Sequence, residues 1–215
     1  MKDRKGPARP RAGAKPQSPR PGIREARVGR RTSETDISLS LALDGSGRSS
    51  VSTGVGFLDH LFSTLAKHAR WDLDLECRGD LQVDDHHTAE DCALALGRAF
   101  DEALGERRGI RRFGSAYAPL DESLARAVVD LSGRPHATVE LGLRRERIGD
   151  LSSENVGHVI ASLATAARAT IHLDVLRGGN DHHRAEAAFK ALALAFREAI
   201  ALGPGGEVPS TKGIL

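Results

Sequence analysis

Asp84-Asp85-His86-His87-Thr88-Ala89-Glu90-Asp91 returns in the second half of the chain as Asp181-His182-His183-Arg184-Ala185-Glu186, and this recurrence decides how the sequence is organised. The match extends outward from the histidines. With His60 set against His158, Leu65 meets Leu163, Ala66 meets Ala164, Ala69 meets Ala167, Arg70 meets Arg168 and Leu75 meets Leu173. A two-residue gap then brings the His-His motifs into line, and Ala95-Leu96 and Ala99-Phe100 fall on Ala191-Leu192 and Ala195-Phe196. Duplication of one half-domain accounts for this most simply. The expected repeats are about 23–118 and 119–215, related by a pseudo-two-fold axis.

Each half reads as strands mixed with amphipathic helices, an α+β pattern. In the first, Ile37, Leu39, Leu41 and Leu43 alternate with polar neighbours, which predicts a half-buried strand over 34–43. Asp44-Gly45-Ser46-Gly47 is turn chemistry, and 48–53 returns as a second strand. Phe57, Leu58, Leu61, Phe62 and Leu65 recur at helical spacing, a short strand follows over 72–76, and a helix runs over 86–103 to Gly105. In the second half, strands are expected over 124–131 and 136–143, a helix over 156–169, a strand over 170–176 and an Ala-rich helix over 183–202.

The chain has 215 residues, enough for a sizeable core, and its 40% hydrophobic and 28% charged content is ordinary for a soluble protein. No apolar run approaches the roughly 18 residues that would span a bilayer, so no membrane association is expected. The net charge of +2 hides an asymmetry. Residues 1–31 hold 11 of the 31 basic and 2 of the 29 acidic residues, or +9, which leaves −7 on the rest. Five of nine prolines lie within 7–21, so residues 1–22 are expected to be a disordered basic tail on a domain spanning 23–215. The acidic body and an aromatic content of only 4% argue against a nucleic-acid partner. Cys77 and Cys92 form neither a disulfide framework nor a CxxC clip, which suits a cytoplasmic protein.

Six of the nine histidines occupy paired positions: His60, His86 and His87, then His158, His182 and His183. Glu90 and Glu186 complete each set. With Asp85 and Asp181 as N-caps, His86 and Glu90 project together, because residues four apart lie only about 40° round an α-helix. His87 lies about 100° from His86. Adjacent histidines rarely chelate one ion, so the motif suits ligands divided between two centres. Imidazoles and carboxylates without cysteine favour Mn, Fe, Co or Zn, and the residues alone do not choose among them.

Six blocks carry a resemblance to the imidazoleglycerol-phosphate dehydratases over about 24–215: G-V-G-F-L-D-H (54–60), D-D-H-H-T-A-E-D (84–91), R-F-G (112–114), S-G-R-P (132–135), D-H-H-R-A-E-A-A-F-K-A (181–191) and P-S-T-K-G (209–213). The resemblance implies a fold of two half-domains of the ribosomal protein S5 domain 2-like type. It implies a lyase of histidine biosynthesis that dehydrates imidazole glycerol phosphate to imidazole acetol phosphate. Two Mn²⁺ ions per active site are implied, held by His60, His86, His87, Glu90, His158, His182, His183 and Glu186, which would stabilise negative charge on the substrate imidazole. Glu34 and Glu186 match the acid–base residues, and Arg112, Arg134, Ser210, Thr211 and Lys212 match the phosphate-binding set. Together with Glu34, His60, His86, Glu90 and His182, the residues His68 and Lys190 match substrate contacts. The family forms a homo-oligomer of twenty-four subunits with cubic symmetry and active sites at subunit contacts.

The sequence departs from the family at Ala69, Gly157, Val159 and Ile160, all outside the ligand positions. A non-catalytic metal-binding assembly protein would explain the eight ligands but not the arginines. A dinuclear metallohydrolase acting on phosphate esters is supported by the ligand set alone.

Overall fold

The computed structural model describes residues 24–204, 206–211 and 213, so the basic tail over 1–22 lies outside the described residues. The first half runs β1 (Glu25–Arg31), β2 (Thr35–Ala42), β3 (Ser49–Ser52), α1 (Gly56–Ala69), β4 (Asp72–Gly79) and α2 (His86–Leu104). The second runs β5 (Phe113–Leu120), β6 (Ser123–Asp130), β7 (His136–Glu140), the two-residue strands β8 (Arg147–Ile148) and β9 (Leu151–Ser152), α3 (Ser153–Ala166), β10 (Thr170–Arg177) and α4 (Asp181–Ala199).

The two four-stranded sheets have the orders β1-β2-β4-β3 and β5-β6-β10-β7. Strand for strand these are the same topology, with a parallel β3–β4 pair matched by a parallel β7–β10 pair. The duplication read from the sequence is therefore present in the backbone. The junction lies between Leu104 and Phe113 rather than near residue 118, because β5 pairs with β6 in the second sheet.

The alternation along β2 buries Ile37, Leu39 and Leu41 on one face, as expected. Two strands had weaker patterns. β1 buries only Val28, and β5 inserts small Gly114 and Ala118 under α4. The segment after Gly47 does not form a hairpin with β2: it crosses over and runs parallel to β4. Gly47, at φ +85°, makes that crossing possible, since a Cβ there would meet the Lys67 carbonyl at 2.8 Å.

Each half lends a helix to the other. α1 packs on α4 and α2 packs on α3, while α2 lies on β1 and β2 and α4 lies on β5 and β6. Trp71, Phe100 and Phe196 form a fully buried ring cluster between the halves, with centroids 5.1–5.5 Å apart. The α2–α3 seam is close at Gly97, where a Cβ would come within 2.7 Å of the Ala166 Cβ and of the Leu163 carbonyl oxygen.

Polar contacts fix the same seams. Asp150 accepts hydrogen bonds from the backbone N–H groups of Gly56 and Phe57, at 2.5 and 2.9 Å, which places an anion from the second half on the N-terminus of α1. Buried Arg107 caps the other end of α3 through the carbonyls of Ala167 and Arg168. Asp85 stands at the N-cap of α2 as expected but its side chain makes no cap bond, while the N-cap of α4 is Asn180 rather than Asp181. Asp84 accepts from the His86 N–H, and Asn180 accepts from the His182 N–H. Asp85 instead holds Ser152 at the start of α3, and Asp181 holds the backbone N–H groups of Arg144 and Arg145.

Gly97→Ala should lower the melting temperature of the metal-free chain, because about 1–3 kcal/mol of overpacking exceeds the roughly 1 kcal/mol of helix propensity gained. Gly157→Ala on α3, whose Cβ would meet nothing closer than 4.0 Å, should be neutral or raise it. A melting temperature for Gly97→Ala at or above wild type would contradict the close seam.

Burial opposes ionisation of Asp150, but the hydrogen bonds from Phe57 and Gly56 outweigh it and hold the carboxyl below its usual range. Such a depressed group contributes stability above the unfolded-state value near 4 and loses it as the pH falls through the lower folded value. Asp150→Asn should therefore be less stable than wild type at neutral pH, with the gap closing on acidification in paired denaturation curves.

Candidate metal centres and active site

The helix seams are where the histidines meet. At the α1–α4 seam, His60 Nε2 and His182 Nε2 each lie 3.2 Å from Glu186 Oε2. At the α2–α3 seam, His158 Nε2 lies 3.1 Å from Glu90 Oε1, and the His86 and His158 rings stack at 4.8 Å. Each trio has three donor atoms within 4.8 Å of one another. Donors held about 2.1 Å from one cation at right angles stand about 3 Å apart, so this donor set fits a bound cation. Neither trio exists within one half: each takes His and Glu from one repeat and a single His from the other.

The surroundings of the trios differ. His86 Nδ1 donates to the Asn155 carboxamide oxygen at 3.1 Å, and the Asn155 amide group donates to Asp85. This chain fixes the His86 tautomer and leaves its Nε2 as the donor to a cation. In the other trio Phe57 occupies the place equivalent to Asn155, its ring 5.0 Å from His182. Lys190 Nζ lies 2.8 Å from Glu186 Oε1. Burial raises the Glu186 carboxyl, but Lys190 and then His60 more than offset it and hold it at about 2. His68, in the last turn of α1, is lowered by burial and by Lys190.

Two ligand candidates stand apart from the trios. His87 Nδ1 donates to Asp80 at 3.0 Å, and His183 Nδ1 donates to Glu122 at 2.8 Å. Both imidazoles are raised, foremost by those carboxylates. Their rings are turned 75° and 86° from their neighbours His86 and His182, so within one chain adjacent histidines face different ways. Glu34 lies beside His87, its carboxylate 3.8 Å from Nε2 and 46% exposed.

The arginines cluster elsewhere. Arg112 pairs with Asp130 through Nε and Nη2 at 2.7 and 3.1 Å, and donates to the Pro209 carbonyl at 2.9 Å. Arg134, 69% exposed, reaches the same Asp130 at 3.9 Å. Ser210 and Thr211 follow Pro209 directly, and Lys212 falls outside the described residues. The Arg112 N–H bonds to the Ala199 carbonyl at the far end of α4, which is about 20 Å along the helix from Glu186. The Arg112 backbone and the His60–His182–Glu186 trio are thus docked at opposite ends of α4. Sequence reasoning missed Asp80, Asn155, Glu122 and Asp150, because a lone acid or amide outside a motif carries no signal of its own. Among the described residues no helix is long and apolar enough to cross a membrane.

A sequence model described as Imidazoleglycerol-phosphate dehydratase matches residues 53–196. The chain is 54% identical over 215 aligned residues to the imidazoleglycerol-phosphate dehydratase of Kluyveromyces lactis, covering 89% of this chain and 97% of that protein. It is 60% identical over 194 residues to the protein of that name from Phytophthora nicotianae, covering 90% of this chain but only 43% of that longer relative. The crystal structure of the Staphylococcus aureus dehydratase superposes with a TM-score of 0.76 at 35% identity, covering 83% of this chain and 99% of that one. With duplicated sheets, paired His–Glu–His trios and this similarity all in agreement, the chain belongs to the imidazoleglycerol-phosphate dehydratase family, hydro-lyases of histidine biosynthesis.

Proposed function

We propose that the protein removes water from imidazole glycerol phosphate to give imidazole acetol phosphate, at sites that each hold two manganese ions and are completed by other copies of the chain. The observation that carries this reading is the pair of equivalent trios at the two helix seams, each with three of the four expected ligands. His87 and His183 are the fourth ligands, supplied from neighbouring copies. The roughly 20 Å of α4 between Glu186 and Ala199, whose carbonyl takes the Arg112 N–H, argues for the same arrangement at the His60–His182–Glu186 trio, since the phosphate of one small substrate held at that trio would have to find its arginines on another copy. A closed assembly of twenty-four copies would satisfy every such contact. The buried, unpaired Cys77 and Cys92 suit a reducing cytoplasm.

Bound cations supply Lewis-acid stabilisation of the charge that develops on the substrate imidazole. The chain's own groups do the rest. Arg112, preset by Asp130, and Arg134, with Ser210, Thr211 and Lys212, bind the phosphate and fix the glycerol carbons. Glu34, half exposed and without a strong partner, takes and returns a proton at those carbons, and Glu186 is the second carboxylate. Lys190 keeps Glu186 ionised, and His68 lines the same seam.

Mass spectrometry on chelated protein should show no product from imidazole glycerol phosphate, and loss of one water from the substrate once Mn²⁺ is restored. A folded, Mn-loaded oligomer that makes no product would favour the non-catalytic assembly protein. Glu34→Gln should lower kcat by about 10²–10⁴-fold with the oligomer intact, whereas Arg134→Ala should chiefly raise KM. Steady-state kinetics on both variants would separate the proton-transfer role from the phosphate role, and an unchanged kcat for Glu34→Gln would remove Glu34 from the chemistry.

A further inference from the structure

The two repeats anchor equivalent histidines with different residues. Glu34 immediately precedes the first residue of β2 and Glu122 immediately precedes the first residue of β6, and these strands hold the same place in their sheets. The two glutamates are therefore counterparts, as His87 and His183 are. In the second half, Glu122 is fully engaged. Its Oε2 accepts from His183 Nδ1 at 2.8 Å, and its Oε1 accepts from the backbone N–H groups of Gly179 and Asn180 at 3.1 and 2.9 Å. Asp121 lies 3.9 Å from the same imidazole nitrogen, beyond hydrogen-bond reach.

In the first half the counterpart glutamate is released. Among the described residues the Glu34 carboxylate accepts no hydrogen bond: its one ion-pair contact is His87 Nε2 at 3.8 Å, with the Arg30 charge nearby, and the anchoring bond to His87 Nδ1 is accepted by Asp80 at 3.0 Å. Asp80 sits directly after β4, where the chain after β10 has Gly178-Gly179 and no side chain to offer. The carboxylate has moved from one strand end to the neighbouring one, across the β2–β4 pair that begins Thr35↔Gly79.

We propose that Asp80 and Glu122 are positioning residues with one shared task. Each holds an Nδ1–H so that the Nε2 of His87 or His183 is left as the donor to a metal centre on another copy, and the transfer of this task to Asp80 is what frees Glu34 for proton transfer. A carboxylate on the remote imidazole nitrogen fixes tautomer and ring orientation and makes the donor nitrogen more basic. The two metal positions thus share a donor set, but only the one completed by His87 has an unengaged glutamate beside it. This inference rests on the dimetal dehydratase reading above.

Chelated full-length protein titrated with Mn²⁺ alone, with free Mn²⁺ followed by its electron paramagnetic resonance signal, tests it. Glu122→Gln keeps an oxygen for the Gly179 and Asn180 N–H groups but turns an NH₂ towards His183 Nδ1, which favours the wrong tautomer. One of the two Mn²⁺ per chain should then bind about 10–100-fold more weakly while the other is unchanged. Asp80→Asn should weaken the other ion in the same way, Asp80→Glu should restore it to within a few-fold, and Glu34→Gln should bind both as wild type does. Wild-type titration curves for both Glu122→Gln and Asp80→Asn would overturn the positioning role. A Glu34→Gln chain that loses Mn²⁺ as Asp80→Asn does would overturn the division of labour. A wild-type chain that takes up fewer than two Mn²⁺ would instead sink the dimetal reading on which the inference rests.

Discussion

The whole arrangement depends on how closely the helices of one half pack on those of the other. Each trio of donor atoms straddles a seam, so donor spacing near 3 Å is a property of helix packing before it is a property of any ligand. A small residue makes the approach possible at the α2–α3 seam, where Gly97 lies against α3. A close-packed interior transmits displacement, so widening a seam would move an imidazole away from its carboxylate. Carboxylate caps tie the same helices across the same boundary, exposed Asp150 onto α1 and buried Asp85 onto the start of α3.

Bringing a carboxylate between two imidazoles in a half-buried seam costs desolvation, and the two seams meet that cost differently. Beside Glu186 a cation, Lys190, is provided. Beside Glu90 no lysine is present at the equivalent position, which is Leu94; there the Asp85–Asn155–His86 chain orders the site. Phe57 stands where Asn155 stands in the other trio. Duplicated backbones thus carry one donor set in two environments.

The same division shows at the outer histidines. His87 and His183 are turned away from their neighbours His86 and His182 and stand outside both trios. Arg112 docks at the opposite end of α4 from Glu186, through its N–H on the Ala199 carbonyl. In the proposed assembly both features would couple binding of metal to association.

Much of this was legible in the sequence. The repeated His-His-x-x-Glu motif fixed the duplication, the pairing of His86 with Glu90 and of His182 with Glu186 follows from helical periodicity, and the alternating strand β2 could be read from its apolar residues. Strands β1 and β5 were not legible, because one bears a single buried valine and the other packs through glycine and alanine, which leave no periodic signal. The crossing of β3 to the far side of β4 was hidden as well: turn chemistry shows that the chain reverses but not which strand it joins. Local spacing alone determined which residues are candidate ligands. Only tertiary packing decided that each trio borrows a histidine from the other half, that His87 and His183 stand outside the trios, and that Asp80 rather than Glu34 anchors His87. Those relations join residues distant in sequence, and no local pattern encodes the distance between two helices.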